Sequence, residues 1–165
     1  MSNDRVDRVA KALVEQTTIR GVLETACHGL VDTLDATACE ISRVVGDLLV
    51  GLVELSPDGE RRLDLGHEYL ISEYPLTQEV IERGEARTVS LREEAPEPNE
   101  AQLLEKLGFD SLLMVCLPTA TGCWGLVEAY ADEKRFSERD AVAAEQIAVV
   151  TGEQLDRLDP TAPGR

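Results

Sequence analysis

The first 34 residues of the chain have apolar residues at helical spacing. Residues 1–16 predict an amphipathic N-terminal helix, because its apolar positions recur at intervals of three and four with charged residues between them: Val6, Val9, Ala10, Leu13 and Val14. Thr17 and Thr18 are suitable N-caps for a second helix. Its apolar stripe follows the same spacing: Ile19, Val22, Leu23, Ala26, Cys27, Leu30 and Leu34.

From Thr37 the pattern changes to short runs rich in β-forming residues. Residues 37–46 and 48–55 predict two strands joined at Gly46-Asp47, and "SPDGERR" predicts the turn that follows. The run "GHEYLISEY", residues 66–74, predicts a third strand that ends before Pro75. A short helix stopped by Gly84 and a fourth strand in "ARTVSL" complete this part.

The second half predicts a helix, a β-hairpin and a long final helix. "REEAPEPNE" predicts a loop and "AQLLEKLG" a helix of about two turns; strands follow at residues 111–118 and 123–131. Ser137 and Asp140 form a capping box, which opens a helix that runs to about Leu158. Residues 159–165 predict a disordered tail. The order predicts one α+β domain, with an antiparallel sheet covered on one face by the terminal helices.

The hairpin determines which side chains share a face. A loop at Thr121-Gly122 or one from Thr119 to Gly122 places Cys116 opposite Val127 or Gly125. With either loop, Cys116 and Cys123 lie on one face but too far out of register for a disulfide. Small or pliable residues, Leu112, Met114, Cys116, Gly125, Val127, Ala129 and Ala131, then share the face expected to meet a helix. The opposite face receives Ser111, Leu113, Val115, Leu117, Trp124, Leu126, Glu128 and Tyr130.

That second face is the candidate ligand pocket. It places Ser111, Glu128 and Tyr130 on a covered surface, and a buried carboxylate needs a hydrogen-bond donor from protein, water or ligand. Tyr69 and Tyr74, which follow His67 and Glu68, are candidates to stack on a ligand ring. The alternatives are that Glu128 reaches solvent at a strand end and that the tyrosines fill an aliphatic core.

Charge and cysteine spacing exclude several classes of function. The 165 residues have 32 acidic and 16 basic side chains, a formal net charge of -16. Such a surface repels nucleic acid and anionic lipid. The charged N-terminus does not resemble a signal peptide and no apolar run is long enough to span a membrane, so we expect a cytoplasmic protein. Cys27, Cys39, Cys116 and Cys123 lack metal-site or CxxC spacing, and we expect buried thiols.

The chain resembles the GAF domains, a family of small sensory modules. The resemblance covers roughly residues 19–158 and depends on five segments taken together: "LVDTLDATACEISRV", "YPLTQEVIERGEARTVSL", "LGFDSLLMVCLP", "WGLVEAYADE" and "RFSERDAVAAEQIA". It implies a six-stranded antiparallel sheet. The terminal helices lie on one face, and short helices and loops lie over a ligand pocket on the other. Members of the family commonly bind cyclic nucleotides, bilins or haem and dimerise through their terminal helices.

Residue by residue, the specialised groups of that family do not match. The cyclic-nucleotide signature is similar only at Lys134, Phe136 and Asp140, with acids where that group has asparagine. Bilin-binding members attach the chromophore to a cysteine of the pocket region, and none lies between Cys39 and Cys116. The free methionine-R-sulfoxide reductases have their cysteines elsewhere, so a thiol-dependent enzyme is a remote alternative.

These observations predict a non-catalytic sensory domain, residues 17–158, preceded by the N-terminal helix. We expect an unidentified small-molecule effector, with no known cofactor and no metal, bound by Tyr69, Tyr74, Ser111, Glu128 and Tyr130. Homodimerisation is expected through helices near residues 6–15 and 137–158, with a possible signalling-protein partner. The alternative function is a ligand-free interaction or dimerisation module.

Overall fold

The computed structural model describes residues 4–56 and 68–159. Its helices are α1 Asp4–Val14, α2 Ile19–Leu34, α3 Pro75–Arg83, α4 Pro98–Leu107 and α5 Glu138–Leu158. Its strands are β1 Ala38–Val45, β2 Leu48–Leu55, β3 Glu68–Leu70, β4 Arg87–Ser90, β5 Ser111–Thr119 and β6 Gly122–Ala131. The predicted turn at 57–62, His67 and the tail from residue 160 lie outside the described residues.

Local capping signals set the helix ends as predicted. The Thr18 hydroxyl accepts a hydrogen bond from the Gly21 amide at 3.0 Å and so caps α2. Gly84 ends α3 in the left-handed conformation, with φ 72°, which a residue without Cβ adopts at little cost. The capping box of Ser137 and Asp140 opens α5.

Two predicted boundaries are wrong. Residues Ile71–Glu73, predicted as part of a strand, form a 3-10 turn, because Ile71 donates its amide to the Asp47 carbonyl and the chain then turns into α3. The predicted loop contains the first turn of α4. Pro98 is tolerated there because the first helical amides have no partner within the helix, and the Glu97 carboxylate caps the Glu100 amide at 2.8 Å.

The six strands form one antiparallel sheet in the order β3-β2-β1-β6-β5-β4, and the predicted α+β fold class is confirmed. We call its two sides the helix face, covered by α2 and α5 with α1 packed against those two helices, and the roofed face, covered by α3 and α4. The helix face has an aliphatic core that includes Leu113, Val115, Leu117, Val127 and Ala129. The roofed face has a second core that includes Leu112, Met114, Leu126, Phe109 and Tyr130.

The predicted hairpin register is wrong, and β5 is turned over as a result. Thr119 pairs with Gly122, so the loop is the two residues 120 and 121, and a bulge then shifts the register beyond Leu117. Cys116 therefore lies opposite Leu126, instead of Val127 or Gly125. The sorting of β6 was correct from Leu126 onward, with Val127, Ala129 and Ala131 on the helix face, but it was wrong for Trp124, which the bulge places against the helix-face core. The sorting of β5 was reversed, because a one-residue slip exchanges the faces of a strand.

Candidate functional site

A cavity lies between the roofed face of the sheet and the two short helices above it. Strands β1, β2 and β6 supply its floor, and α3, α4 and the residues around β3 supply its walls. The volume open to a water-sized molecule is about 20 Å³, room for about one water, and the empty space that includes open solvent at the mouth is about 360 Å³. The lining residues are Glu40, Leu49, Tyr69, Tyr74, Thr77, Glu100, Leu103, Leu107, Glu128 and Tyr130.

Two glutamates face each other on the floor of the cavity. Glu40 of β1 and Glu128 of β6 are direct cross-strand partners, and both are buried. Like charges in this arrangement destabilise a sheet. Each carboxyl group accepts a hydrogen bond from a hydroxyl two residues along its own strand: Ser42 Oγ donates to Glu40 Oε1 at 3.1 Å, and Tyr130 Oη donates to Glu128 Oε2 at 3.0 Å.

A third glutamate approaches from the roof. Glu100 lies in the first turn of α4 and is 1% exposed. Its Oε2 accepts a hydrogen bond of 2.6 Å from the Thr77 hydroxyl of α3, so this bond links the two roof helices. Thr77 also lies 3.4 Å from the Met114 sulfur on the floor. The cavity thus has carboxyl groups from β1, β6 and α4.

Aromatic side chains form the remaining walls. The rings of Tyr69 and Tyr74 meet edge to face, with centroids 6.1 Å apart and an interplanar angle of 78°. Tyr130 packs against Phe109, which follows α4, with ring centroids 5.1 Å apart. Phe109 therefore fixes the ring whose hydroxyl donates to Glu128.

Burial makes the ionised form of these groups costly. It raises the pKa of Glu100 to about 7. Burial, together with the nearby charges of Glu40 and Glu100, raises the pKa of Glu128 well above its usual range. The pKa of Tyr130 is raised first by burial and then by Glu128, and that of Tyr74 is raised first by burial and then by Glu100. The cavity is an acidic site that resists ionisation.

The structure brings most of the predicted site residues together. Tyr69, Tyr74, Glu128 and Tyr130 line the cavity. Ser111 does not, because it lies opposite Ala131 on the helix face and donates its hydroxyl to the backbone carbonyl of Lys134. Its assignment to the pocket followed from the wrong register of β5.

Three polar lining residues were missed: Glu40, Thr77 and Glu100. Glu40 had a usable signal, since it alternates with the apolar residues Cys39 and Ile41 and so shares a face with Ser42. No local sequence pattern could have placed Glu100 in the cavity, because its position depends on how α4 lies over the sheet.

The cysteines form two close pairs of free thiols. Cys116 and Cys123 lie on the same face, as expected, but the bulge brings their sulfurs into hydrogen-bond contact, which the predicted register did not allow. This hydrogen bond lowers the pKa of Cys123 and raises that of Cys116. Cys27 and Cys39 are neighbours within the helix-face core.

Solved structures share this architecture at low sequence identity. The chromophore-binding domain of the bacteriophytochrome RpBphP3 from R. palustris superposes with a TM-score of 0.78 at 15% identity, covering 94% of this chain and 61% of that one. The chain has a GAF-like fold. The chromophore-binding domain of the Stigmatella aurantiaca bacteriophytochrome gives a TM-score of 0.77 at 13% identity, covering 92% of this chain and 59% of that one.

A third structure matches over nearly its whole length. JSC1_58120g3, solved in a far-red absorbing dark state with bound biliverdin, gives a TM-score of 0.78 at 14% identity and covers 93% of this chain and 98% of that one. This chain spans about three fifths of the two bacteriophytochrome domains. No family model and no curated protein matches its sequence.

Two further features of the described residues concern metals and membranes. No three histidine, cysteine, aspartate or glutamate side chains in residues 4–56 and 68–159 are grouped closely enough to hold a metal ion. In the same part of the chain, no helix has the length and apolar character needed to cross a membrane.

Proposed function

We propose that the chain is a non-catalytic regulatory domain in signal transduction, and that it senses a small molecule bound in the cavity of the roofed face. The observation that supports this most is the burial of Glu100 and Glu128 around a space that opens to solvent. Buried carboxyl groups cost stability and a packed core does not need them. A binding site has a use for such groups, because they recognise a ligand.

Ligand-dependent stability tests this function. A molecule that binds only the folded protein at 100 times its dissociation constant adds about 2.7 kcal/mol to the free energy of unfolding. Freshly purified protein would be examined by native mass spectrometry for a retained ligand and then screened by thermal shift against amines, amino acids, nucleotides and aromatic acids. A hit should be lost or weakened in Glu128→Gln and kept in Glu105→Gln, whose side chain is exposed on α4. The absence of both a retained ligand and any cavity-dependent hit would contradict the proposal.

We infer that the signal passes through a homodimer of the terminal helices. Large apolar side chains are exposed on that layer at the end of α1, the start of α2 and along α5: Val14, Ile19, Val142 and Val149. Val142 and Val149 are seven residues apart and so lie on one side of α5. A second copy of this chain would present the same apolar surface in return.

The oligomeric state tests the dimer independently of the ligand. The double variant Val142→Glu, Val149→Glu places charges on the proposed interface and should shift the protein from dimer to monomer in light scattering. Val45→Glu is the matched control, because Val45 is equally exposed but lies in β1. A wild-type monomer at micromolar concentration, or a dimer that persists in the double variant, would overturn the dimer.

One observation favours a second candidate, a ligand-free interaction module. The volume open to a water-sized molecule is only about 20 Å³, so the protein's own side chains occupy most of the space beneath the roof helices. If no compound stabilises the protein while the dimer or another complex forms normally, this function is preferred. A thiol-dependent enzyme would be indicated only by turnover that Cys116→Ser or Cys123→Ser abolishes.

A further inference from the structure

Two thiols meet at the loop end of the β5–β6 hairpin. Cys116 of β5 faces Leu126 of β6. Two positions nearer the loop, Pro118 faces Cys123. The two cysteines are therefore diagonal neighbours, which in a regular ladder lie roughly 7–8 Å apart, beyond the usual reach of a disulfide. The bulge beyond Leu117 bends and twists the hairpin, and it brings the two sulfurs into hydrogen-bond contact.

Both cysteine side chains lie on the roofed face. Cys116 belongs to the apolar core of that face, and Cys123 packs against the same core. The Cys123 thiol also donates to the carbonyl oxygen of Gly125 at 3.2 Å. Gly125 pairs with Leu117, the chain neighbour of Cys116, so this contact holds the Cys123 sulfur on the side of the hairpin where Cys116 lies. Joining the two sulfurs therefore needs no change in strand pairing.

The two sulfurs differ in their access to solvent. Cys123 is partly exposed, whereas Cys116 is buried. The hydrogen bond from Cys116 lowers the pKa of Cys123, and backbone hydrogen bonds of Leu117 and Gly125 act in the same direction. Because the thiolate is the reactive form of cysteine, a small oxidant from solvent should react first at Cys123. Cys116 lies directly behind it, in the position of a resolving thiol.

The other pair of thiols lacks this access. Cys27 and Cys39 are both buried in the helix-face core, where the Cys27 thiol donates to the Cys39 backbone carbonyl at 3.9 Å. The hydrogen bond with Cys27, together with burial, raises the pKa of Cys39 well above its usual range. Buried thiols without thiolate character are inert. The chain thus provides its own comparison for the reactivity of the hairpin pair.

We propose that Cys116 and Cys123 form a reversible modification site for hydroperoxides, in which Cys123 is the attacking thiol and Cys116 the resolving thiol that closes a disulfide across the hairpin. Neither cysteine is among the described lining residues of the cavity. The site therefore goes beyond the proposed ligand-sensing function and does not depend on it.

The reaction consumes one hydroperoxide for each disulfide formed. The Cys123 thiolate attacks one peroxide oxygen, the O–O bond breaks, and the other oxygen leaves with a proton as an alcohol, or as water when the oxidant is hydrogen peroxide. The Cys116 sulfur then attacks the sulfur of the Cys123 sulfenic acid. The S–S bond forms as the S–O bond breaks, and the departing hydroxide takes the Cys116 proton and leaves as water. An added dithiol reverses the modification by thiol–disulfide exchange.

Oxidation of the reduced full chain by hydrogen peroxide tests the proposal. Samples taken over time would be blocked with N-ethylmaleimide, and peptide mass spectrometry would identify disulfides and free thiols. The Cys116–Cys123 disulfide should form about tenfold or more faster than a Cys27–Cys39 disulfide, because only the hairpin pair has an accessible thiol of lowered pKa. Dithiothreitol should restore both thiols. In protein unfolded by urea the preference should disappear, since each pair then closes a short flexible loop.

Three variants separate the roles of the two thiols. Cys123→Ser should leave Cys116 in the thiol form under the same exposure. Cys116→Ser keeps a hydroxyl donor beside Cys123 and should accumulate its sulfenic acid, which dimedone traps. Cys27→Ala, in the helix-face core, is the matched control and should form the hairpin disulfide at the wild-type rate.

Several results would overturn the inference. Equal or faster oxidation of Cys27 and Cys39 would show that the hairpin pair has no special reactivity. Oxidation of Cys116 at the wild-type rate in Cys123→Ser would mean that Cys123 is not the attacking thiol. Direct conversion of Cys123 to sulfinic acid, without a disulfide, would mean that Cys116 does not resolve it. A preference that persists in urea would assign the reaction to sequence proximity instead of the fold.

Discussion

The two faces of the sheet differ in what they bury. The helix face is a close-packed aliphatic core beneath α2 and α5, and there α5 approaches β5 so closely that Gly152 lies against the Pro118 carbonyl. The roofed face buries Glu40, Glu100 and Glu128, which are the buried carboxyl groups of the described residues. One strand can serve both faces because successive side chains point in opposite directions.

The helix face therefore stabilises the folded protein, whereas the buried carboxyl groups of the roofed face lower its stability. Close packing of apolar side chains on the helix face stabilises the fold. Buried carboxyl groups on the roofed face destabilise it, and such departures from good packing are expected at functional sites. The comparison predicts that adding volume to the helix face lowers the free energy of unfolding, whereas removing a carboxyl group from the roofed face raises it.

The largest effect is expected on the helix face, at Gly152. A Cβ at this position would lie 1.6 Å from the Pro118 carbonyl oxygen, a backbone atom that cannot move without shifting the strand. Gly152→Ala should therefore lower the free energy of unfolding by about 3 kcal/mol, despite the better helix propensity of alanine. Urea denaturation measures the change. Glu105→Ala, at an exposed position of α4, should stay within about 0.5 kcal/mol of wild type.

The next effect is a pH dependence that arises on the roofed face. The folded protein holds the Glu100 proton more tightly than the unfolded chain, since the pKa of this group is raised to about 7. The contribution of Glu100 to stability should be greatest below the ordinary glutamate pKa and be lost as the pH rises through about 7. The loss attributable to Glu100 is on the order of 2–3 kcal/mol, and it levels off above that pH.

Two matched variants isolate this contribution. Glu100→Gln should flatten the decline in melting temperature over that range, while Glu105→Gln should reproduce the wild-type decline. If the two variants behave alike, Glu100 is not the group responsible.

A smaller effect of opposite sign is expected at Glu128. Glu128→Gln keeps an oxygen that can accept the hydrogen bond of Tyr130 and removes the carboxyl group facing Glu40. The ligand-free protein should become more stable by about 1–2 kcal/mol at neutral pH, as expected where stability is given up for binding. Thermal denaturation checks this. Destabilisation by a similar amount would mean that Glu128 has a structural role.

The smallest effect is a difference in thiol reactivity between the faces. Cys123 is partly exposed and its pKa is lowered by the hydrogen bond from Cys116, so it should be the first cysteine alkylated by iodoacetamide. Cys116→Ala removes the donor and should slow this reaction severalfold. Cys27→Ala, a change in the helix-face core, should leave the Cys123 rate unaltered; peptide mass spectrometry over time distinguishes the sites. Faster alkylation of Cys27 or Cys39 would contradict the predicted order.

Elements with local signals could be predicted from the sequence. Thr18, Gly84 and the pair Ser137 and Asp140 act within a few residues of themselves, and each sets a helix boundary where it was expected. The start of α4 was missed because its first turn contains Pro98 among acidic residues, a composition that also fits a loop.

The site was only partly predictable because it depends on pairing between distant segments. Alternation along β6 correctly grouped Glu128 with Tyr130. The bulge near Trp124 has no distinctive local signal, and missing it reversed β5 and placed Ser111 on the wrong face. The position of Glu100 over the floor follows from how α3 and α4 pack on the sheet, which no short stretch of sequence specifies.

The central claim is that the roofed face buries carboxyl groups that resist ionisation around the candidate binding cavity. A titration of the glutamate side-chain carboxyl carbons by NMR tests it most directly. Glu100 should titrate with a pKa of about 7 and Glu128 well above its usual range, because burial disfavours the charged form of both groups. Ordinary glutamate pKa values for both side chains would contradict the account.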